Sequence, residues 1–247
     1  MVKEPIILGI QNGVINQEIL PKYFSQCIYG IGTYNAWRDE KNIVGYQNKG
    51  KILIGTPNNE LSQEMAKIVG IMSLGSPFEI IDNLYDATLC KIVINLTTTI
   101  STLTAQGYEE IADIKTFKKI TTHVLQEGIQ ILKALGVKEV QLGNVPKWKI
   151  IELGMKLPDF ISMAVFKKNY KKLVISSMAY DIIKAGKKKS EIDTISGHLV
   201  SLAERNGIKA PYNKAVYKIG KEKFSQVPFK SMKPKELWDE INRLMLY

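Results

Sequence analysis

The sequence predicts a small α/β piece, residues 1–83, followed by an all-helical domain, residues 84–247. Three observations lead there. Short apolar runs bounded by glycine, asparagine and charged turns fill the first part of the chain. Beyond Asn83, apolar residues recur at three- and four-residue steps. Gly136, Asn206-Gly207 and Pro211 mark helix boundaries in that second part.

Taken in order, Ile6-Ile7-Leu8-Gly9-Ile10 reads as a buried strand ended by Gln11-Asn12-Gly13, which is either an ordinary turn or the ligand-binding end of a sheet strand. A short helix is expected over Gln17 to Phe24. Strands follow at Cys27–Tyr34, Ile43–Tyr46 and Lys51–Gly55, with turns at Arg38–Asn42 and Asn48–Gly50, so an antiparallel meander closes the sheet. Gly30-Ile31-Gly32 is not a dinucleotide fingerprint, because the third glycine is missing and a strand follows where a helix should open. A helix over Glu60–Val69 and a strand over Phe78–Ile81 complete this part.

The helical part is expected at Asn83 onward, Ile111–Leu135, Lys147–Leu153, Pro158–Lys184, Ser190–Asn206, Lys214–Phe224 and Lys235–Leu246. Gly136 and Asn206-Gly207 are the stop signals, Pro211 keeps the chain from resuming a helix at once, and Ser190 with Glu191 opens the helix that ends at Asn206.

The chain is organised around residues 86–109, where Lys91 is the one charged residue between Asp86 and Glu109. At helical spacing Leu89, Ile92, Val93 and Leu96 form an apolar face, while Thr88, Lys91, Asn95, Thr98 or Thr99, and Thr102 form a polar stripe. Burying an unpaired ammonium is costly, so such a lysine reaches water, pairs with a carboxylate or meets an anionic ligand. These three roles stay open from the stretch alone. Its seven Thr and Ser residues, Asn95 and Lys91 make it too polar to be a membrane span.

Composition narrows the function classes. The net charge of +10 fits nucleic acid, an anionic membrane or a phosphate-bearing small molecule, and the presence of only Arg38, Arg205 and Arg243 among 34 basic residues argues against the first. Cys27 and Cys90 are far apart and His123 and His198 are solitary, so neither a disulfide framework nor a metal site is expected. No stretch reads as a signal peptide or a membrane span, and the expected location is the cytoplasm.

The chain resembles the ketopantoate reductase (2-dehydropantoate 2-reductase) family. The residues that carry the resemblance are Gln11-Asn12-Gly13, Gly30 through Asp39, Lys91-x-x-x-Asn95, Ser176-Ser177-Met178, Asp181, Glu191-Ile192-Asp193, Gly197, and Gly207-Ile208-Lys209-Ala210-Pro211-Tyr212-Asn213. The resemblance implies a partial Rossmann-like sheet joined to a helical domain like that of 6-phosphogluconate dehydrogenase, with the active site in the cleft between them. It implies NADPH-dependent reduction of a 2-keto acid, 2-dehydropantoate to pantoate in the family. By motif, Lys91 is then the general acid that protonates the developing alkoxide and also a substrate contact. Asn12 lies beside nicotinamide and substrate, Ala36 along the cofactor, Asn95 and Ser177 on the substrate, and Glu191 on the cofactor.

The chain also departs from the family pattern. The family's opening strand and Gly-x-Gly-x-x-Gly have no counterpart, so the expectation is a chain lacking the N-terminal part of the Rossmann domain, with an open sheet edge. Thr99-Ile100 stands in place of a second asparagine and a proline, the Asn-Gly loop is not recognisable around Gln106-Gly107-Tyr108, and Val174 replaces an asparagine. The turn before Glu191 is longer and holds Lys187-Lys188-Lys189. The missing amides weaken the fit to ketopantoate itself. Two expectations follow: a reductase acting as a homodimer or with a chain that supplies the nucleotide-binding half, or a non-catalytic remnant serving as a dimerisation or ligand-binding module.

Overall fold

The computed structural model describes residues 4–38, 43–47, 50–170 and 175–246. Most of the two turns expected after Arg38 and before Gly50 lies outside the described residues, as do Lys171, Lys172 and Val174. The described chain forms two compact units. One comprises residues 1–91 with 138–145, and the other comprises 92–137 with 146–247.

In the first unit the strands are β1 (Ile7–Gly9), β2 (Cys27–Gly32), β3 (Asn35–Arg38), β4 (Val44–Gln47), β5 (Ile52–Gly55) and β6 (Phe78–Ile80). The main sheet has the order β1-β2-β5-β6. β1 is parallel to β2 with Leu8 opposite Ile28, β2 is antiparallel to β5 with Gly30 opposite Ile54, and β5 is parallel to β6. Parallel neighbours need a crossover. Those crossovers are α1 (Ile15–Ile19), which runs into a tight 3₁₀ turn at Leu20–Lys22, and α2 (Ser62–Met72).

Near-continuous apolar runs suit strands buried on both faces. Ile28 and Ile54 are fully buried and pack with Ile52, Met65 and Phe78, while Leu61, Ile68 and Val69 close the cluster from the α2 side. β3 and β4 form a hairpin of their own, Ala36 opposite Tyr46. The sequence reading missed β3, because Asn35-Ala36-Trp37-Arg38 has no apolar alternation of its own.

The polypeptide enters the second unit along α3 (Leu84–Leu103). There follow α4 (Ile114–Ala134), α5 (Trp148–Lys156), α6 (Asp159–Tyr170), α7 (Ser177–Ala179), α8 (His198–Arg205), α9 (Pro211–Phe224) and α10 (Pro234–Met245). α4 buries Phe117, Ile120, Val124 and Ile131 along one stripe, and Asp113 caps it by accepting from the Thr116 N–H at 3.0 Å. Gly128 is what lets α3 come close: a β-carbon there would lie 2.8 Å from Leu96 Cδ1.

One charged residue interrupts the α4 stripe. Glu127 is 7% exposed, and its carboxylate accepts from the backbone N–H groups of Tyr212 (2.9 Å) and Asn213 (2.7 Å) and from the Asn213 amide (2.9 Å). It therefore caps the first turn of α9 from another helix, satisfying donors that a helix start leaves orphaned. Asn213 is itself buried and gives its amide to the Val124 carbonyl as well, at 3.1 Å. Burial pushes the Glu127 carboxyl above its ordinary value, against the pull of these donors.

Three sequence expectations are corrected. The helix expected over Pro158–Lys184 is broken: α6 ends at Tyr170, and Ser176 takes an extended conformation so that its hydroxyl accepts from the Ala179 N–H at 3.1 Å and starts a new helix. That start continues as a π-helical turn over Tyr180–Lys184. Pro211 does not hold the helix back; it is the first residue of α9, where its missing N–H costs nothing. The helix ending at Arg205 begins with a π-helical turn, Asp193–Gly197, with the Ser190 hydroxyl accepting from the Ile192 N–H ahead of it.

Replacing Glu127 by alanine is expected to leave the α9 donors buried and unsatisfied. The urea midpoint should fall by an amount corresponding to about 2–3 kcal/mol, at an unchanged m-value.

Candidate active site on the α3 helix

A run of six polar residues, Thr88, Lys91, Asn95, Thr98, Thr99 and Thr102, shares one face of α3 as the helical spacing requires. The hydrogen bonds divide them. The Thr88 hydroxyl donates to the Leu84 carbonyl (2.8 Å) and accepts from the Gln17 amide (3.1 Å). Thr98 donates to the Asn95 carbonyl at 2.6 Å, and Thr102 to the Thr98 carbonyl at 2.7 Å. The Thr99 hydroxyl pairs with that of Ser196 at 3.0 Å and lies 4.0 Å from the Met178 sulfur. Threonine in a helix commonly bonds back to the preceding turn in this way.

Lys91 and Asn95 are the exceptions. They sit one turn apart and partly buried, and among the described residues neither side chain has a hydrogen-bond or ion-pair partner. Burial holds the Lys91 ammonium below its ordinary value of 10.5. An ammonium made easier to deprotonate beside a free amide is suited to give a proton to, and hold, an oxyanion.

Within the first unit, Asn12 lies partly buried in the turn after β1, where Gly13 takes a φ of +79°. The Gln17–Thr88 bond ties the segment following it to α3, one turn before Lys91. Ala36 is exposed on the β3–β4 hairpin. Cys90, next to Lys91, is buried, which pushes its thiol up to about 11, and its sulfur accepts from the Val140 N–H at 3.5 Å.

Within the second unit, Thr99 draws later segments to α3. Met178, its neighbour through the sulfur contact, stands beside Ser177, which is exposed in the first turn of α7. Ser196 lies on the turn that follows Glu191, whose backbone carbonyl accepts from Thr194 and Ile195. Gly220 of α9 meets the same point, since a β-carbon there would approach Ile192 Cδ1 to 2.3 Å and Thr99 Cγ2 to 3.1 Å. Asn95, Ser177 and Glu191 are thus carried by elements that converge around one buried threonine.

Sequence reasoning missed Ser196 and Glu127. Glu127 had a signal, the lone acid on the α4 apolar stripe. Ser196 had none, because its value comes from meeting Thr99. No three His, Cys, Asp or Glu side chains group as metal ligands among the described residues, and no described helix is long and apolar enough to cross a membrane.

The family profile described as "Ketopantoate reductase PanE/ApbA C terminal" matches residues 83–224, more than half of the chain. The chain belongs to the ketopantoate reductase family. The 2-dehydropantoate 2-reductase of Pyrococcus abyssi (strain GE5 / Orsay) is 23% identical over 215 residues, which cover 86% of this chain and 65% of that protein. The chain therefore spans about two thirds of that relative's length.

Two solved structures of family members share the fold. The PanE/ApbA family ketopantoate reductase from Ralstonia eutropha JMP134 superposes with a TM-score of 0.64 at 22% identity, covering 92% of this chain and 70% of that one. For the dimeric ketopantoate reductase from Staphylococcus aureus the TM-score is 0.62 at 17% identity, with 90% and 69% covered.

Two outcomes are expected of variants. Because Lys91 loses protons more readily folded than unfolded, its charge costs stability at neutral pH, and the cost fades as pH rises from its lowered value toward 10.5. Lys91→Met should therefore raise Tm at pH 7, by about 2–4 °C per kcal/mol relieved, and calorimetric scans should show the gain shrinking as pH rises toward 10.5. Thr99→Val and Ser196→Ala should each cost about 1–3 kcal/mol by stranding the other hydroxyl, while the double variant costs less than the sum.

Proposed function

We propose that the chain carries the acid and substrate-holding side of an NADPH-dependent 2-keto acid reductase. The observation behind this reading is the pair Lys91 and Asn95, half-buried and unbonded one turn apart on α3. Family membership supplies the reaction class, and 2-dehydropantoate reduction is the activity named for the Pyrococcus abyssi relative.

In this reading the carboxylate and keto oxygen of the substrate meet Lys91, Asn95 and Ser177. As the carbonyl carbon is reduced, its oxygen gains negative charge. The Lys91 ammonium stabilises that charge and then gives up a proton from Nζ, leaving a neutral amine that burial favours. Asn95 and Ser177 donate hydrogen bonds and hold the keto acid in register.

A nicotinamide dinucleotide would supply the hydride. Asn12 would meet its nicotinamide end, because the turn after β1 is at the carboxyl end of a parallel strand, where open α/β sheets bind ligands. Ala36 and Glu191 would be further contacts. The sequence contains no Gly-x-Gly-x-x-Gly, so its residues fit the nicotinamide end and provide no cradle for the pyrophosphate.

A second reading, a non-catalytic dimerisation or ligand-binding module, is favoured by Thr99. It stands at the family's second asparagine and is closed into the core on Ser196. Pairing of two copies, as in the dimeric Staphylococcus aureus protein, is compatible with both readings.

The assay is NADPH oxidation against a panel of 2-keto acids, with the chain alone and with a separately produced nucleotide-binding domain of the family. Turnover is expected in at least one combination, with Lys91→Ala lowering kcat/KM by about 10²-fold or more. Absence of turnover in every combination would favour the module.

A further inference from the structure

The two edges of the main sheet in the first unit are not alike. β6 closes one side, and its Glu79 is paired with Lys51, just before β5, at 2.5 Å. Charged side chains of this kind keep an edge strand from pairing further. β1 closes the other side, and Ile6-Ile7-Leu8-Gly9-Ile10 carries no charge. The Ile7 N–H donates to the Gln26 carbonyl at 2.9 Å, so strand alternation turns the N–H and carbonyl of Leu8 away from β2, where no described residue bonds them.

The helix beside this strand is turned the same way. α1 runs back along β1, with Asn16 bonded to Gln11 past one end of the strand and Ser25 bonded to Glu4 before the other. Its polar Asn16 and Gln17 are half-buried, whereas Ile15 and Ile19 are 41% and 40% exposed and Tyr23, four residues on, is 75% exposed. Ile6 and Ile10, flanking β1, are 39% and 41% exposed. A helix ordinarily buries its apolar side, so this reversal next to an unguarded strand edge marks a surface built to be covered.

Sheet direction says what covers it. A dinucleotide with its nicotinamide at Asn12 needs its pyrophosphate held at the carboxyl end of a nearby parallel strand, and this sequence has no Gly-x-Gly-x-x-Gly to do so. β5 and β6 run against β1 and β2, so their carboxyl ends lie at the opposite end of the sheet. A strand added in parallel to the free edge of β1 would stand one strand spacing away, about 4.8 Å, with its carboxyl end beside the Gln11-Asn12-Gly13 turn. A second copy of this chain would bring its own β1 to that edge antiparallel across a two-fold axis, and no cradle with it.

We propose that the free edge of β1 and the side of α1 bearing Ile15, Ile19 and Tyr23 are the docking surface for a nucleotide-binding α/β polypeptide, which adds a parallel strand to β1 and brings a pyrophosphate cradle to the Asn12 end of the sheet. The inference rests on the reductase reading and names the partner of that same site.

The test mixes the full chain with a separately produced nucleotide-binding domain of the family, shown to be folded by its own binding of NADPH, and reads association by light scattering and calorimetry. A one-to-one complex is expected, with slowed hydrogen exchange at the Leu8 amide. Ile15→Glu combined with Ile19→Glu should weaken the complex by about 10-fold or more, because two carboxylates would enter an apolar contact. Thermal unfolding of the chain alone should stay within about 2 °C, since both positions are exposed. Ile71→Glu, at a still more exposed position on α2, should leave association unchanged.

No complex, or a complex indifferent to the Ile15→Glu and Ile19→Glu pair, overturns the inference. So does a dimer of the chain alone that the same pair breaks, because a second copy would then be the occupant. Lys91→Ala separates this inference from the reading it rests on: it should abolish turnover and leave association intact. A complex that depends on Ile15 and Ile19 but reduces no 2-keto acid keeps the docking surface and removes the reductase reading.

Discussion

The hydrogen bond between Thr99 and Ser196 is the constraint on which the candidate site depends. Both residues are buried, so neither hydroxyl has water as an alternative partner, and an unmade bond there would cost more than the bond contributes on the surface. Around it gather the Met178 sulfur, Ile192 and the close approach of Gly220. Small side chains make this possible: glycine in α9 and serine after Glu191 leave room for a β-branched residue in the middle of a long helix. Ser177 and Glu191 are placed through these contacts, because each lies within a few residues of a group anchored on Thr99.

Glu127 plays a comparable part on the far side of α4. A buried carboxylate is expensive, yet here its oxygens meet three N–H donors, two of them at the start of α9. The helix dipole favours a negative charge at that point. Chain entry into α9 is thereby held against α4, and the Pro211-Tyr212-Asn213 segment is explained by packing: proline at the first helical position, asparagine bonded to Glu127 and Val124. A motif matched as part of the family resemblance thus proves structural in its contacts.

Lys91 presents the opposite balance. Its ammonium is partly buried, with no carboxylate among the described residues to offset the loss of water, and stability is spent on a group that folding alone would replace with methionine. Cys90, one residue earlier, is buried and its thiol is pushed up to about 11, so the same helix carries a buried thiol and a partly buried ammonium in sequence neighbours.

Much of the fold was legible from pattern. Apolar runs located β1, β2, β5 and β6, and the three- and four-residue periodicity located α3, α4, α9 and α10, because burial of a face imposes that period on the sequence. Lys91 and Asn95 stood out because a lone charge and an amide one turn apart break an otherwise apolar and threonine-rich helix. What pattern did not show were the β3 strand, the break at Ser176 and the π-helical turns, which depend on local hydrogen bonding that composition does not encode. The polar stripe on α3 shows the limit most directly. By itself the sequence determined which residues share that face, since helical spacing requires nothing else. Only the tertiary structure decided which of them remain free to meet a ligand, because a threonine hydroxyl chooses between a backbone carbonyl, Ser196 and solvent according to what packs beside it.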